Sequence, residues 1–313
     1  MANILMSYQH YPLSVAKFFK SAFKRVGHEV FSVGPYHERI PWAPQNTYAE
    51  YQDVPDLLMP SGVVGNFEYV LNHPLVEDFA PEVCYQFDAA YSLRYRNWET
   101  PPMKTVHIAT DPHCIDYVNQ FKQAHYPVIM QKHYGLKYIE EDFSPQWLPY
   151  AFDPLIHYWN PKARKEWDVT LISGLMYENR KRALAAFTNA GLKVKHVVGA
   201  LYTEGTELYN KGRIAFNWSS ERDLPMRFWE GLAYRNVVLT NRVPDLAEFP
   251  EFIEGVHYLA FSTVEEAVEK ALWVVKHEEE AEKMATLGYA RVWIGRHTYN
   301  QRVQRLLRIA GYT

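Results

Sequence analysis

Near the amino terminus three apolar residues, Ile4-Leu5-Met6, precede a polar stretch and then Val15, Phe18, Phe19, Ala22, Phe23 and Val26, which recur three and four positions apart. The first run reads as a buried strand, and the second places its side chains on one face of a helix. Gly27 ends that helix and Val30-Phe31-Ser32-Val33-Gly34 forms a second strand, so the chain opens strand, helix, strand. Apolar runs at 82–87, 104–109 and 127–130, separated by loops rich in Pro, Tyr and Asn, predict further strands. In a parallel sheet of this kind the loops at the carboxyl edge are where ligands bind.

Around Trp147-Leu148-Pro149-Tyr150-Ala151-Phe152-Asp153-Pro154 the pattern breaks, and no clear periodicity returns before Glu166. A domain junction is expected here. Trp167 to Gly174 then restarts as a strand, a helix is predicted over 179–190, and Gly191 ends it before a strand at 193–199. Strands at 214–218, 237–240 and 258–261, with helices at 227–234 and 264–275, complete a second doubly wound unit. The expected domains are 1–152, 153–292 and a carboxyl-terminal segment 293–313 whose helix, from about 301 to 309, returns to brace the first domain. Two Rossmann-like α/β units are therefore predicted, with no internal repeat or low-complexity segment.

Composition narrows the function classes. At 313 residues, 48% hydrophobic and 22% charged, the chain has material for two ordinary globular domains. Thirty-three Lys and Arg against 36 Asp and Glu give a net charge of −3, so no overall cationic field draws it to nucleic acid or anionic lipid, and any polyanion site must be local. Cys84 and Cys114 have neither disulfide-framework nor metal-ligand spacing, which fits a reducing cytoplasm. The amino terminus lacks the charged and apolar regions of a signal peptide, and no window has the apolar length of a membrane span. The 23 Tyr, 16 Phe and 9 Trp exceed what filling a core needs; stacking on sugars or bases and ordinary packing are both open to them.

No Gly-x-Gly-x-x-Gly follows the first strand and no Walker P-loop occurs, which removes the main support for nicotinamide dehydrogenases and P-loop NTPases. The segment Ser173-Gly174-Leu175-Met176-Tyr177-Glu178-Asn179-Arg180-Lys181-Arg182 offers another phosphate site, a small-residue turn and a helix start carrying guanidinium groups. Three bases in a first turn oppose the helix dipole, and simple solvated charge is the competing reading. Leu224-Pro225-Met226-Arg227-Phe228-Trp229-Glu230 places Arg227 and Glu230 at i, i+3, before the apolar strand that ends in Thr240. That pair is either a site at the sheet edge or a helical salt bridge.

This stretch resembles the nucleotide-binding half of GT-B-fold glycosyltransferases, in particular group-1-type transferases of the spore-maturation-protein-like branch. Leu224-Pro225-Met226-Arg227, Glu230, Ala233 and Thr240 carry the motif, supported in family order by Leu148 to Pro154, Asn217-Trp218-Ser219 and Gly295-Arg296-His297-Thr298-Tyr299-Asn300-Gln301-Arg302. The resemblance spans roughly 147–305 and implies two Rossmann-like domains facing across a cleft, with a nucleotide-sugar donor, most readily a UDP-sugar, in the second. It implies that Glu230 hydrogen-bonds the ribose, that Arg180 and Arg227 meet the diphosphate, and that Gly174, Asn217 and Thr240 complete the donor-binding set. Retention at the anomeric carbon is implied too. Related families carry a glutamate eight positions before the ribose glutamate; here Arg222 stands there and Glu221 is adjacent, so the donor-sugar contacts stay unassigned.

In the first domain Ser7-Tyr8-Gln9-His10 and Thr110-Asp111-Pro112-His113 follow strands, which puts His10, Asp111 and His113 at the expected cleft edge as candidate catalytic groups. Asp111 before Pro112 is also a turn former, and His10 is also readable as a plain loop histidine. Asp88, Tyr91, Arg94 and Arg96 are candidate acceptor-binding residues, the last three within the Tyr91-Ser92-Leu93-Arg94-Tyr95-Arg96-Asn97-Trp98 stretch that interleaves aromatics with Arg. An amphipathic surface segment is the alternative. No Asp-x-Asp pair suggests a metal, and no cofactor is expected beyond the nucleotide sugar. The acceptor class stays open among polysaccharide, lipid, small molecule and hydroxymethylated phage DNA, as does monomer or homodimer. A sugar-nucleotide epimerase and a non-catalytic nucleotide-binding scaffold are the competing functions.

Overall fold

The computed structural model describes residues 1–39, 53–60, 64–87, 91–95, 101–139, 142–174, 176–219 and 221–312. Asp88 and Arg96 lie outside these residues. The chain divides into two compact units, Met1–Pro149 with Tyr299–Thr313, and Tyr150–Thr298.

Unit 1 contains β1 (Asn3–Ser7), β2 (Glu29–Gly34), β3 (Leu57–Leu58), β4 (Val64–Asn66), β5 (Val83–Phe87), β6 (Ser92–Arg94), β7 (Lys104–Ala109), β8 (Tyr126–Ile129) and β9 (Gln146–Trp147). Seven of these form one parallel sheet in the order β3-β2-β1-β5-β7-β8-β9, and β4 pairs with β6 separately. The order reverses between β1 and β5, which creates the crevice at which doubly wound sheets bind ligands. On the helix Ala16–Arg25, Phe18, Phe19, Ala22 and Phe23 are buried, as their spacing requires. The helix Tyr299–Ile309 lies against it: Tyr299 stacks on Phe18 with centroids 5.1 Å apart, and Arg25 Nε donates to Asn300 Oδ1 at 2.9 Å.

Unit 2 contains β10 (Trp167–Ser173), β11 (Val194–Val198), β12 (Gly212–Asn217), β13 (Val237–Asn241) and β14 (Leu259–Phe261). They form one parallel sheet, β11-β10-β12-β13-β14, whose order reverses between β10 and β12. Leu171, Phe187, Ile214, Phe216, Leu239 and Phe261 form its core, each such side chain contributing about 1.5–3 kcal/mol by leaving water. The helix Met226–Ala233 lies flat on the sheet at Gly231, where a Cβ would stand 2.8 Å from both Ala215 Cβ and Val238 Cγ2.

Two helices of unit 2, Tyr202–Asn210 and Glu278–Ile294, have no counterpart in the periodicity reading. The first contains Gly205 and mostly polar residues; the second buries Ala281, Met284, Ala285, Gly288 and Val292, several of them too small to mark a stripe. The aromatic segment beginning at Tyr91 also differs from expectation. Tyr91 is 2% exposed in an apolar cluster with Leu5, Phe67 and Leu93, so it packs in the core of unit 1 rather than offering a stacking face. Pairing of β6 with β4 draws the segment inward.

Candidate functional site

Three strands of unit 2 end side by side at the carboxyl edge, β10 at Ser173, β12 at Asn217 and β13 at Asn241. Arg227 Nε donates to Asn217 Oδ1 at 3.1 Å, and Asn217 Nδ2 donates to Thr240 Oγ1 at 2.9 Å. This chain of bonds ties the helix Met226–Ala233 to the ends of β12 and β13 and fixes one edge of the Arg227 guanidinium. Gly174, the residue after β10, leaves the sheet beside them, ahead of the helix Glu178–Asn189.

Of the three bases in that helix only Arg180 is buried; Lys181 pairs at the surface with Glu178 at 3.6 Å and Arg182 is exposed, so both are solvated charges. Arg180 Nε donates to the Trp218 carbonyl at 2.9 Å, and its guanidinium lies 5.0 Å from the Tyr177 ring centroid. Burial and the neighbouring Arg227 charge push Arg180 down to about 10, with Tyr177, Asp223 and Tyr209 offsetting only part of this. His196, whose Nε2 lies 3.1 Å from Ser173 Oγ, is likewise lowered by burial and by Arg180. At the edge where β10 and β12 diverge two guanidinium groups thus disfavour each other's charge, and an anion placed between them would relieve that repulsion.

Glu230 is 9% exposed, one helical turn from Arg227. Its Oε1 lies 3.5 Å from Nε2 of His157. His157 Nδ1 accepts the Asp153 backbone N–H at 2.9 Å, so in the neutral ring the proton sits on Nε2, facing the carboxylate. The ring meets Tyr234 edge-on at 5.8 Å, and the nearby Glu230 charge adds to burial in raising both Tyr234 and Tyr209 above the usual phenol range. Arg227 and Glu230 therefore have different partners, Asn217 and His157.

The structure brings together Arg180, Asn217, Arg227, Glu230 and Thr240, with Gly174 bordering them. Sequence reasoning quoted Tyr177 within the segment before Arg180 without giving it a role, and missed His196, Tyr209 and His157. Of those three, His157 alone had a proximity signal, four residues after Asp153 in the junction motif.

In unit 1, His10 does not occupy an open edge. The chain after β1 stays paired with the chain after β2: Tyr8 N donates to Val33 O at 3.1 Å, His10 N to Pro35 O at 2.8 Å and His37 N to His10 O at 2.8 Å. His10 is fully buried and stacked on Tyr8 at 3.8 Å. Its Nδ1 donates to the Asp53 carbonyl at 2.8 Å and lies 3.3 Å from Asp53 Oδ2. Tyr8 Oη at 2.7 Å and Lys20 Nζ at 3.0 Å also bond the Asp53 carboxylate. Burial alone would raise Asp53, but the His10 hydrogen bond and charge, with Lys20 and Tyr8, outweigh it and hold the carboxyl at about 2.

Asp111 is half-buried after β7; its carbonyl accepts from Cys114 N and Ile115 N, the turn geometry that Asp-Pro favours. Thr110 Oγ1 donates to Asp111 Oδ2 at 3.2 Å, and His113 Nδ1 lies 3.2 Å from Gln131 Oε1, at the end of β8. Arg94 is partly buried, 3.4 Å from Ser92 Oγ, and burial lowers it. Among the described residues no group of three or more His, Cys, Asp or Glu is arranged to hold a metal, and no helix is long and apolar enough to cross a membrane.

Two parallel doubly wound units define the GT-B architecture, and solved structures share it. Anabaena HepE, crystallised with UDP and glucose, superposes with TM-score 0.67 at 11% identity over 98% of this chain and 99% of that one. A glycosyltransferase from Rickettsia africae gives 0.66 at 11% identity, covering 98% and 97%. The DNA-modifying enzyme β-glucosyltransferase, studied with and without uridine diphosphoglucose, gives 0.61 at 7% identity, covering 98% and 99%. Identities this low speak to the fold. Residues 162–308, somewhat under half of the chain, match the family model described as glycosyl transferase-like, and that stretch carries Arg180, Asn217, Arg227, Glu230 and Thr240. No curated protein matches the chain in sequence.

Proposed function

We propose that this protein is a GT-B glycosyltransferase that moves a hexosyl or pentosyl group from a nucleoside-diphosphate sugar to an acceptor hydroxyl. The observation that carries the reading is the buried Arg180 beside Arg227 at the point where β10 and β12 diverge, two guanidinium groups close enough for one to disfavour the charge of the other. The glycosyl transferase-like match over the same residues and the UDP-glucose complexes of HepE and β-glucosyltransferase support it. In the reaction the acceptor oxygen bonds to the anomeric carbon, the bond to the diphosphate oxygen breaks, and the charge that gathers on the leaving diphosphate is met by the two guanidinium groups. Glu230, an acceptor-only group, takes hydrogen bonds from the ribose hydroxyls. UDP is the proposed nucleotide and retention the proposed stereochemistry, in keeping with the spore-maturation-protein-like resemblance.

Because guanidinium groups already neutralise the diphosphate, the reaction is proposed to run without a metal, in the cytoplasm. Asp111 and His113 are the proposed groups for handling the acceptor proton. His10, enclosed against Asp53, is assigned a supporting role in their place. Polysaccharide, lipid, small molecule and hydroxymethylated DNA remain the acceptor classes to screen.

Thermal shift with UDP, GDP, ADP, CMP and their sugar conjugates, on wild type and on Glu230→Ala, tests the donor site. Stabilisation follows RT ln(1 + [L]/Kd), about 2.7 kcal/mol at a hundredfold excess, so a modest binder is visible. One nucleotide should stabilise the wild type and lose that effect in Glu230→Ala; no shift from any of them in folded protein overturns the reading. Product NMR then reads the anomer, and activity lost to EDTA and restored only by Mg²⁺ or Mn²⁺ overturns metal independence.

A further inference from the structure

A carboxylate next to a diphosphate site is unfavourable unless something holds it aside for a neutral partner. Glu230 sits in that position, 9% exposed and one helical turn from Arg227. What faces it is a ring from a different element. His157 lies in the turn after the junction, where its own N–H donates to the Asp153 carbonyl at 2.8 Å and its Nδ1 accepts the Asp153 N–H at 2.9 Å. Both bonds depend on Asp153, whose Oδ1 accepts the Leu155 N–H at 2.9 Å. The turn is anchored from the other side as well: Thr206 Oγ1 donates to the Ile156 carbonyl at 2.8 Å and lies 3.1 Å from Tyr234 Oη. The ring therefore has its tautomer set by the backbone at one nitrogen and meets Tyr234 edge-on, and its other nitrogen, Nε2, lies 3.5 Å from Glu230 Oε1.

We propose that His157 is a positioning residue: it donates Nε2–H to one carboxylate oxygen of Glu230 and so orients the other for the vicinal hydroxyls of a nucleotide ribose. The proposal rests on the donor-site reading, and it adds a specificity device outside the motif helix. Nothing in it asks His157 to touch substrate. Its consequence is selective: contacts to ribose weaken when His157 is changed, whereas those to the diphosphate, made by Arg180 and Arg227, do not.

Two substitutions separate this role from a structural one. His157→Gln keeps an amide N–H where Nε2 was and gives up the acceptor for Asp153 N–H; His157→Asn keeps the acceptor and falls short of Glu230. Calorimetry measures, for wild type and both variants, the affinity of UDP and GDP, of their 2′,3′-dideoxy counterparts, and of inorganic pyrophosphate. The expected result is a ribose preference in wild type that falls about tenfold in His157→Asn, the size of one lost charge-assisted hydrogen bond, and stays within about threefold in His157→Gln, with pyrophosphate affinity unchanged throughout. The reverse order, Asn preserving and Gln losing the preference, overturns the proposal and leaves a role in the turn alone. A wild type that binds pyrophosphate or UDP without preferring ribose overturns the Glu230 assignment and the proposal with it; a wild type that binds none of these overturns the donor reading itself. The wild type supplies a second measurement that needs no variant: ¹⁵N spectra should place the His157 ring proton on Nε2 and show that resonance move on nucleotide addition. An Nδ1–H tautomer overturns the proposal.

Discussion

At the carboxyl edge of the unit 2 sheet two arginines stand together, and burial with like-charge repulsion brings Arg180 down to about 10. In unit 1, past the carboxyl end of β1, His10 and Lys20 gather round one carboxylate instead, and Asp53 is held at about 2. Both clusters are polar and built on parallel α/β sheets, yet their neighbours act on the central charge in opposite directions. The unit 1 cluster has supplied its acid with partners from Tyr8, His10 and Lys20, so it stabilises the fold as it stands. In the unit 2 cluster the like charges of Arg180 and Arg227 disfavour each other, a repulsion that a bound anion would relieve.

Replacing both arginines is the strongest way to break this contrast. Each charge-assisted hydrogen bond to a phosphate is worth about 1.5–3 kcal/mol, so Arg180→Ala with Arg227→Ala should weaken pyrophosphate and nucleotide binding by about 10²–10⁴-fold. Undiminished binding by calorimetry would show that the anion site lies elsewhere.

Asp53→Asn should do the opposite. Removing one member of a buried charged cluster typically costs about 3–5 kcal/mol, read as a lower urea midpoint at pH 7, while pyrophosphate affinity of the folded variant stays at the wild-type value. A loss of affinity without a loss of stability would reverse the assignment of roles.

The same carboxylate gives a pH signature. Its folded pKa of about 2 is below the unfolded value near 3.9, so the stabilisation, about 2.5 kcal/mol, is fully present above about pH 5 and is lost as pH falls through 4 toward 2. The stability difference between wild type and Asp53→Asn should therefore shrink on acidification across that window in denaturant titrations; a gap independent of pH contradicts the ion-pair account.

The smallest effect tests the seating of the site helix. Ala is the better helix former, yet at Gly231 its methyl meets Ala215 and Val238 at 2.8 Å, so Gly231→Ala should destabilise by about 1–3 kcal/mol and weaken nucleotide binding through Arg227 and Glu230. A stabilised variant would mean that the helix shifts without consequence for the site.

How far the sequence could be read follows from these particulars. Strand runs such as Ile4-Leu5-Met6 and the stripe through Phe18, Phe19, Ala22 and Phe23 are local patterns, and each appears as an element where expected. The helix Glu278–Ile294 was hidden because its buried face includes Ala and Gly, whose hydropathy hardly differs from their neighbours. Arg227, Asn217 and Thr240 were legible from a motif and proved to be bonded to one another. Of Arg180, Lys181 and Arg182, only the fold could say which is buried, because that depends on the Trp218 carbonyl 38 residues away.

What the sequence determined by itself was the α/β class, the order of most strands and of the helices with a clear apolar stripe, and the motif residues at the strand ends, since periodicity and short motifs are properties of neighbouring positions. Tertiary structure alone decided which polar groups are enclosed and by whom. Asp53 beside His10, and His157 beside Glu230, are pairs separated by 43 and 73 positions, and the desolvation that gives such pairs their energetic weight exists only once the chain has closed around them.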